Sequence, residues 1–536
     1  MKKMNSIKPK STTVAALVRE QASVYGKAEA VVAADKRLSY LELYEQSRVV
    51  AKSLTAYGVK PKDHVAILMS NRIEWITTFL GLQLIGATAV AINTWSSPRE
   101  LAYTLEHSDV KFLLAVESFK KSHYFNLVHK ILNNSQLPEL KGAVWLSDLN
   151  SQIIANENAF SVDWNLFLAS SHKISDQTLD VLIDQVQPED VSVLLYTSGS
   201  TATPKGILLQ QDNWIENSWN IGERQHITPK DRLWLAVSLF WSFGCVNAFP
   251  NIFSHGGCVV LQEHFDAKVA LDLIEIEKCS VIYGTPNMLQ AMIEHPNRAT
   301  KDLSSLRTGA MIGTPEQIMW AVELGAKEIC NIYGLSETYG NCAVIDSHED
   351  LAIRLQSVGQ PLDGVEVKIY DLETERELPP NEVGEIRVKG PMFLNYYKDP
   401  EKTKESYDEN NYFKTGDLGL LDEKGRIYYK GRLKEMVKSG GINIAPIEVE
   451  EVLMRHPKVR TAYVIGVPDK HLDERLVAFI IPKDGKSVDV EELKRFGKQE
   501  LAGYKNPSEF RIISDSQLPL TTTGKIQKLK LKTLLE

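Results

Sequence analysis

The sequence predicts an α/β protein: a large N-terminal domain of parallel α/β sheets with a β-rich subdomain, then a small separate α+β domain at the C-terminal end. Three observations predict it. Segments with helical spacing alternate with short β-branched runs, strand-like runs separated by turns then follow one another, and the texture changes again near Gly431. In the first stretch, Tyr40 to Tyr57 and Glu74 to Ile85 carry helical spacing. His64 to Met69, Thr88 to Ile92, Lys111 to Val116 and Val191 to Tyr196 read as strands, and Ser280 to Tyr283 and Glu328 to Ile332 continue the pattern. Pro361 to Tyr370, Gly384 to Lys389 and Arg426 to Lys430 form the β-rich part, with Pro379-Pro380-Asn381 as one of its turns. Beyond Gly431 come a helix from Pro446 to Arg455, strands near Thr461 to Ile465 and Leu476 to Ile481, a helix from Val490 to Leu501 and a strand at Phe510 to Ile513. The predicted domains are residues 1–433 and 434–536.

Composition bounds the function. With 536 residues, 43% hydrophobic and 24% charged, the chain has the make-up of a folded, enzyme-sized protein. Lys+Arg 61 against Asp+Glu 69 gives a net charge of -8, too acidic for a chain whose main task is holding nucleic-acid phosphates. Residues 435–536 hold 17 Lys+Arg and 15 Asp+Glu, a slightly basic lid on an acidic body, which suits a ligand bearing phosphates. The five cysteines, Cys245, Cys258, Cys279, Cys330 and Cys342, form no CxxC pair for zinc or redox work and read as free thiols in a reducing, cytoplasmic setting. The N-terminal apolar stretch Val14 to Val18 is too short for a secretion signal. Two uncharged stretches, Trp75 to Pro98 and Leu233 to Gln262, are broken by Asn, Gly and Pro and are expected as buried helix-turn-strand rather than membrane spans.

The stretch richest in chemistry is Tyr196-Thr-Ser-Gly-Ser-Thr-Ala-Thr-Pro-Lys-Gly206, directly after an apolar strand. Small hydroxyl residues with Gly199 leave N–H and O–H groups free to wrap polyphosphate oxygens, and Lys205 adds a cation. A polar turn is the plain alternative, but five hydroxyls, two glycines and Pro-Lys-Gly in eleven residues favour a phosphate cradle. It is not a Walker A loop, since GxxxxGK[ST] occurs nowhere in the chain.

This loop resembles the signature of the adenylate-forming superfamily, the AMP-binding enzymes that include acyl-CoA and aryl-CoA synthetases, luciferases and peptide-synthetase adenylation domains. The superfamily's other motifs appear in order: Tyr333-Gly-Leu-Ser-Glu-Thr338, Tyr412-Phe-Lys-Thr-Gly-Asp417, Gly431-Arg-Leu-Lys-Glu-Met-Val-Lys-Ser-Gly-Gly441 and Pro519-Leu-Thr-Thr-Thr-Gly-Lys525. The likeness spans about residues 35 to 530.

The resemblance implies a role for each motif. Thr197, Ser198, Gly199, Ser200, Thr201 and Lys205 would hold ATP phosphates, Tyr333 would stack on adenine with Gly334 and Ser336 beside it, and Asp417 and Arg432 would meet the ribose. Gly309 and Ala310 open a loop that the superfamily places beside adenine and acyl group. Glu337 would associate with Mg2+, and Lys525 would bridge the substrate carboxylate and the α-phosphate. Lys528, Lys530 and Lys532 nearby read as solvated lysines. Lys434 stands at the hinge about which the small domain would be mobile between two poses; Lys438, Gly440 and Gly441 would line the channel for a CoA or carrier-protein thiol. Ala202 replaces a usual glycine in the phosphate loop, and Asn395-Tyr396-Tyr397 replaces a usual Gly-Tyr in a stretch expected to be structural.

For the acid, the resemblance implies a region, Arg232 to Gln262, in which amino-acid-activating members place an aspartate to meet the substrate's ammonium; this stretch contains no acidic residue, which disfavours an amino acid. By resemblance, Trp241 stands where many relatives carry His, and Trp241, Phe243, Met311, Tyr339 and Asn341 would wall an acyl pocket suited to a medium-chain fatty acid or an aryl acid. The implied activity is an AMP-forming acid:CoA ligase using ATP, CoA and Mg2+. Loading of an acyl carrier protein, a luciferase-like oxygenation and a non-catalytic nucleotide sensor stay open at this point.

Overall fold

A computed structural model describes residues 6–34, 36–134, 137, 139–146, 160–197, 204–439, 442–470, 472–520 and 526–535. The chain divides into two units: one runs to Glu366 and adds Lys389–Tyr407, and the other comprises Val367–Val388 and Asp408–Glu536. The residue expected as a hinge, Lys434, lies within the second unit.

The first unit holds two large sheets. In the seven-stranded sheet, Val191–Thr197, Thr88–Ala91, His64–Leu68, Phe112–Val116, Gly142–Leu146 and Phe160–Asp163 lie side by side and parallel, with Lys205–Gln210 added antiparallel at one edge. The eight-stranded sheet has a parallel body of Glu328–Tyr333, Thr308–Met311, Val281–Tyr283, Arg232–Leu235, Cys258–Leu261 and Glu29–Ala33, closed by antiparallel edge strands Ala343–Val344 and Lys36–Ser39. Parallel strands need crossovers, and helices supply them. The helix Tyr40–Ala56 starts at a capping box in which Ser39 and Glu42 satisfy each other's main-chain N–H. The helix Ile73–Leu84 is buried on nearly every side and leads into Thr88–Ala91, so the uncharged stretch Trp75 to Pro98 is interior helix-turn-strand. Leu233 to Gln262 likewise resolves into buried strand, π-helix, α-helix and strand. Among the described residues no helix is long and apolar enough to cross a membrane. All five cysteines are free and buried, and burial raises the thiols of Cys245, Cys279 and Cys330 and pushes Cys258 up to about 12.

The second unit contains the β-rich part, a sheet ordered Glu366–Tyr370, Gly384–Lys389, Phe413–Leu421, Ile427–Arg432. The strand expected from Pro361 begins only at Glu366, because residues 362–365 close a turn in which Val365 N–H donates to the Leu362 carbonyl at 3.0 Å. A further sheet is built on the long antiparallel pair Val459–Asp469 and Asp473–Pro482, flanked by Glu509–Ile512 and by Val437–Ser439 with Ile442–Ile444. The helices Pro446–Met454 and Val490–Glu500 pack over it through Val449, Leu453 and Leu493.

Candidate active site

In the first unit the candidate residues sit at carboxyl ends of parallel strands, where open α/β sheets place their ligands. The phosphate motif joins Val191–Thr197 to Lys205–Gln210, and the two strands pair as a hairpin with Thr197 opposite Lys205. Ser198, Gly199, Ser200, Thr201 and Ala202 lie outside the described residues. The flanks are braced: Tyr103 Oη donates to the Pro204 carbonyl at 3.3 Å, and His107 Nδ1 lies 2.8 Å from Tyr196 Oη. Burial lowers His107 and raises Tyr196, so both rings are held neutral beside the loop.

Gly309 and Ala310 are on Thr308–Met311. Gly309 has φ +147, and a Cβ there would lie 1.9 Å from the Ile282 carbonyl oxygen of the neighbouring strand. Gly334 follows Tyr333 at the end of Glu328–Tyr333, where a Cβ would lie 2.4 Å from Asn341 Cα. Both positions therefore require glycine for packing against the neighbouring main chain. Tyr333 is buried, and its carbonyl accepts from Cys342 N–H at 2.9 Å. Ser336 Oγ donates to Ser242 Oγ at 3.0 Å.

Glu337 is half-buried and held at two points. Its carbonyl accepts from Phe393 N–H at 2.8 Å, and its Oε1 accepts from Tyr396 Oη at 2.7 Å. Tyr396 is placed by main-chain bonds between 394–397 and the strand Lys205–Gln210: Leu208 N–H to the Asn395 carbonyl, Tyr397 N–H to the Gly206 carbonyl and Leu394 N–H to the Leu208 carbonyl. Its ring lies 5.1 Å from Lys205 Nζ, within cation–π range. Burial, reinforced by the Glu337 carboxylate, pushes the Tyr396 phenol up, so it donates rather than ionises. Sequence reasoning treated this segment as structural, and it missed a tyrosine that touches both the phosphate-loop lysine and the carboxylate. No local signal could have found it, since Glu337 is 59 positions away.

The expected acyl-pocket residues differ in exposure. Trp241 is half-buried with Trp95 and Phe240 edge-on to it at 5.1 and 5.5 Å, and Phe243 packs on Tyr283 at 5.1 Å. Met311 is fully buried in the core, and Tyr339 is buried with its Oη accepting from Gln210 N–H at 2.7 Å. Asn341 is buried with neither amide atom hydrogen-bonded, and Asn247, also buried, leaves Nδ2 unpartnered beside Gly340.

In the second unit, Asp417 and Arg432 are cross-strand neighbours, with Nε to Oδ1 at 3.0 Å. Asp417 is 1% exposed and Arg432 41%, so a buried carboxylate is presented by a guanidinium that reaches solvent. Asp417 N–H donates to Thr415 Oγ1 at 3.1 Å, which fixes the strand locally. Lys434 lies in the short 3-10 turn Leu433–Glu435, and Lys438 is an exposed residue of Val437–Ser439 whose N–H donates to Glu474 Oε2 at 3.0 Å. Gly440, Gly441 and Lys525 lie outside the described residues. On either side of the undescribed residues 521–525, Leu520 pairs with Ile526 and Gln527 N–H donates to the Pro519 carbonyl at 2.8 Å. One expectation fails here: Lys528 is not a solvated lysine. Its side chain is 14% exposed, and Nζ lies 2.8 Å from Glu450 and 3.6 Å from Glu435, because the C-terminal segment folds back onto the helix Pro446–Met454.

Residues 18–397 match the family of AMP-binding enzymes, and residues 448–525 match the AMP-binding enzyme C-terminal domain. The chain is 34% identical to the putative acyl-CoA synthetase YngI of Bacillus subtilis, over 97% of this chain and 96% of that one. It is 30% identical to the mitochondrial medium-chain acyl-CoA ligase ACSF2 of Macaca fascicularis, over 93% and 83% respectively. Among solved structures, the amide bond synthetase McbA of Marinactinospora thermotolerans superposes with a TM-score of 0.83 at 28% identity, covering 97% of this chain and 99% of that one. With the motifs placed on strand ends and matches that run the length of the chain, the protein belongs to the adenylate-forming AMP-binding enzyme family and is a ligase of the acyl-CoA synthetase type.

Proposed function

We propose that the protein activates a medium-chain fatty acid or an aryl acid with ATP and transfers the acyl group to CoA. The carboxylate attacks the α-phosphorus and expels pyrophosphate; the CoA thiolate then attacks the acyl carbon and expels AMP. The observation that carries this reading is the arrangement around Glu337, a carboxylate aimed by Tyr396 beside the cation of Lys205. Lys205 would bind phosphate oxygens and Lys525 would neutralise charge where the two anions meet. Glu337 fits Mg2+: with Oε1 engaged by Tyr396, its Oε2 is a hard oxygen donor. Bound there, Mg2+ would supply charge neutralisation at the phosphates. The Asp417–Arg432 pair suits the ribose hydroxyls, Asp417 as acceptor and Arg432 as the more exposed donor.

Two buried amides with unpartnered atoms, Asn341 and Asn247, support a tail that is not purely hydrocarbon, because such a group costs about 1–3 kcal/mol until a ligand or water meets it. The favoured acid therefore carries a polar substituent on a medium-length or aryl tail. The likeness to an amide bond synthetase favours a second reading, in which an amine takes the acyl group from the adenylate. The buried thiols suit a reducing compartment, and we place the enzyme in the cytoplasm.

The test is pyrophosphate release with MgATP over fatty, aryl and amino acids, with and without CoA, an amine or a carrier protein bearing a free phosphopantetheine thiol. Acid-dependent release with acyl-CoA as product supports the ligase; an amide or a carrier thioester instead replaces CoA as acceptor; no release with any acid overturns the reading. Lys525→Ala is expected to abolish adenylation while sparing CoA transfer from supplied acyl-adenylate, and substitutions at Lys438 or Gly441 are expected to do the reverse. Equal loss of both half-reactions in Lys525→Ala would refute a two-pose cycle about Lys434.

A further inference from the structure

Away from these residues, the end of the helix Gln211–Arg224 meets the loop after the edge strand Ala343–Val344, where Ser347 N–H donates to the Arg224 carbonyl at 2.9 Å. The contact gathers His226, Asp346 and His348. His226 Nε2 lies 3.0 Å from Asp346 Oδ1, and the same oxygen accepts from His348 N–H at 2.9 Å. The two imidazoles stack at 3.8 Å and 12°, and one donor atom from each of the three residues lies within 4.8 Å of the others. His226 is fixed at its base: its φ is +51, and its carbonyl accepts from Arg307 Nη2 at 2.7 Å.

We propose that His226, Asp346 and His348 bind a divalent transition-metal ion of the zinc class. Two imidazoles and one carboxylate form a donor set that zinc takes with a further position left to water, whereas Mg2+ and Ca2+ prefer oxygen alone. Tetrahedral zinc with bonds of about 2.0–2.1 Å holds neighbouring donors roughly 3.3–3.4 Å apart. His226 Nε2 and Asp346 Oδ1 stand close to that separation, so the ion would replace the proton between them. The third bond needs the His348 ring to turn out of the stack, and His348 is exposed. Burial opposes ionisation of Asp346, but the His348 N–H and the His226 ring outweigh it and hold the carboxyl below its ordinary range. Arg307, the cation that reaches this loop's partner, is itself paired with Asp231 and Glu328. Asp346 follows Ile345, whose N–H pairs with Asn331, so the cluster lies past the sheet edge and away from Gly334 to Glu337. An ion here would staple helix to loop and take no part in adenylation.

Calorimetric titration of the full chain, stripped with a chelator, against zinc chloride tests this. The buried cysteines do not compete in the folded protein. One equivalent of zinc is expected to bind and to raise the melting temperature. His348→Ala and Asp346→Asn should each weaken binding at least ~10-fold and cancel the melting shift, while melting like the unaltered protein without zinc. Absence of saturable zinc binding, or equal binding by the unaltered protein and both variants, would overturn the proposal. These outcomes do not depend on which acid the enzyme activates.

Discussion

Tyr396 joins a cation and a carboxylate that lie far apart in the chain, and its hydroxyl and ring do separate work. Tyr396→Phe keeps the ring near Lys205 but frees Glu337 to rotate. A hydrogen bond to a charged group is worth about 1.5–3 kcal/mol, so ATP–pyrophosphate exchange should slow roughly ten- to a hundredfold with little change in melting temperature. An unchanged exchange rate would mean that the Tyr396 hydroxyl is not what aims the Glu337 side chain. Asn341→Leu should act oppositely on stability and selectivity: removing an unsatisfied buried amide should raise the melting temperature, and the preference for polar-tailed over plain acids should fall in a competition assay. Legibility at this scale divides by distance. Glu337, Asp417 and Arg432 announce themselves through contiguous motifs, whereas Tyr396 draws its significance from remote partners and Asn247 from a buried amide left unpaired, both visible only in the folded chain.

Elements owe their ends to local chemistry and their places to remote partners. The helix beginning at Tyr40 could be read closely because Ser39 and Glu42 cap it, and the expected strand at Gly384 to Lys389 is observed with those same bounds. By contrast, nothing near Lys528 reveals that Glu450 will meet it. That pair fastens the segment after Lys525 to the helix Pro446–Met454, with Glu450 Oε1 also accepting from Val464 N–H at 2.7 Å. Lys528→Met leaves a buried carboxyl without its cation and should destabilise the second unit by about 3–5 kcal/mol, read in urea unfolding. Adding Glu450→Leu should recover part of that loss, since two apolar groups no longer strand a charge. If the single variant unfolds like the unaltered protein, the ion pair is dispensable.

Over the whole molecule, the alternation of helices and strands was legible, but the strand order was not. Glu29–Ala33 finds its place beside Cys258–Leu261, more than half the large sheet's sequence away, and no periodicity encodes that choice. Charged networks help to hold such remote pieces in register: Asp231 accepts from Arg307 and Ser280, and Glu277 takes both Arg37 and Arg232. Burial works against ionisation of Asp231, but Arg307 and Ser280 prevail and keep its folded value below the unfolded one of about 3.9. Its contribution is therefore complete above that pH and is lost as the pH falls through the lower, folded value. Asp231→Asn should flatten the acid limb of the stability profile; an unaltered limb would assign acid sensitivity to other carboxylates. The sequestration of all five cysteines carries a practical consequence. Thiol reagents should leave the folded chain unlabelled, so a cysteine placed at exposed Lys498 and another on the first unit at exposed Lys268 would accept a dye pair without background. Energy transfer between the dyes would then test the proposed two-pose cycle on single molecules.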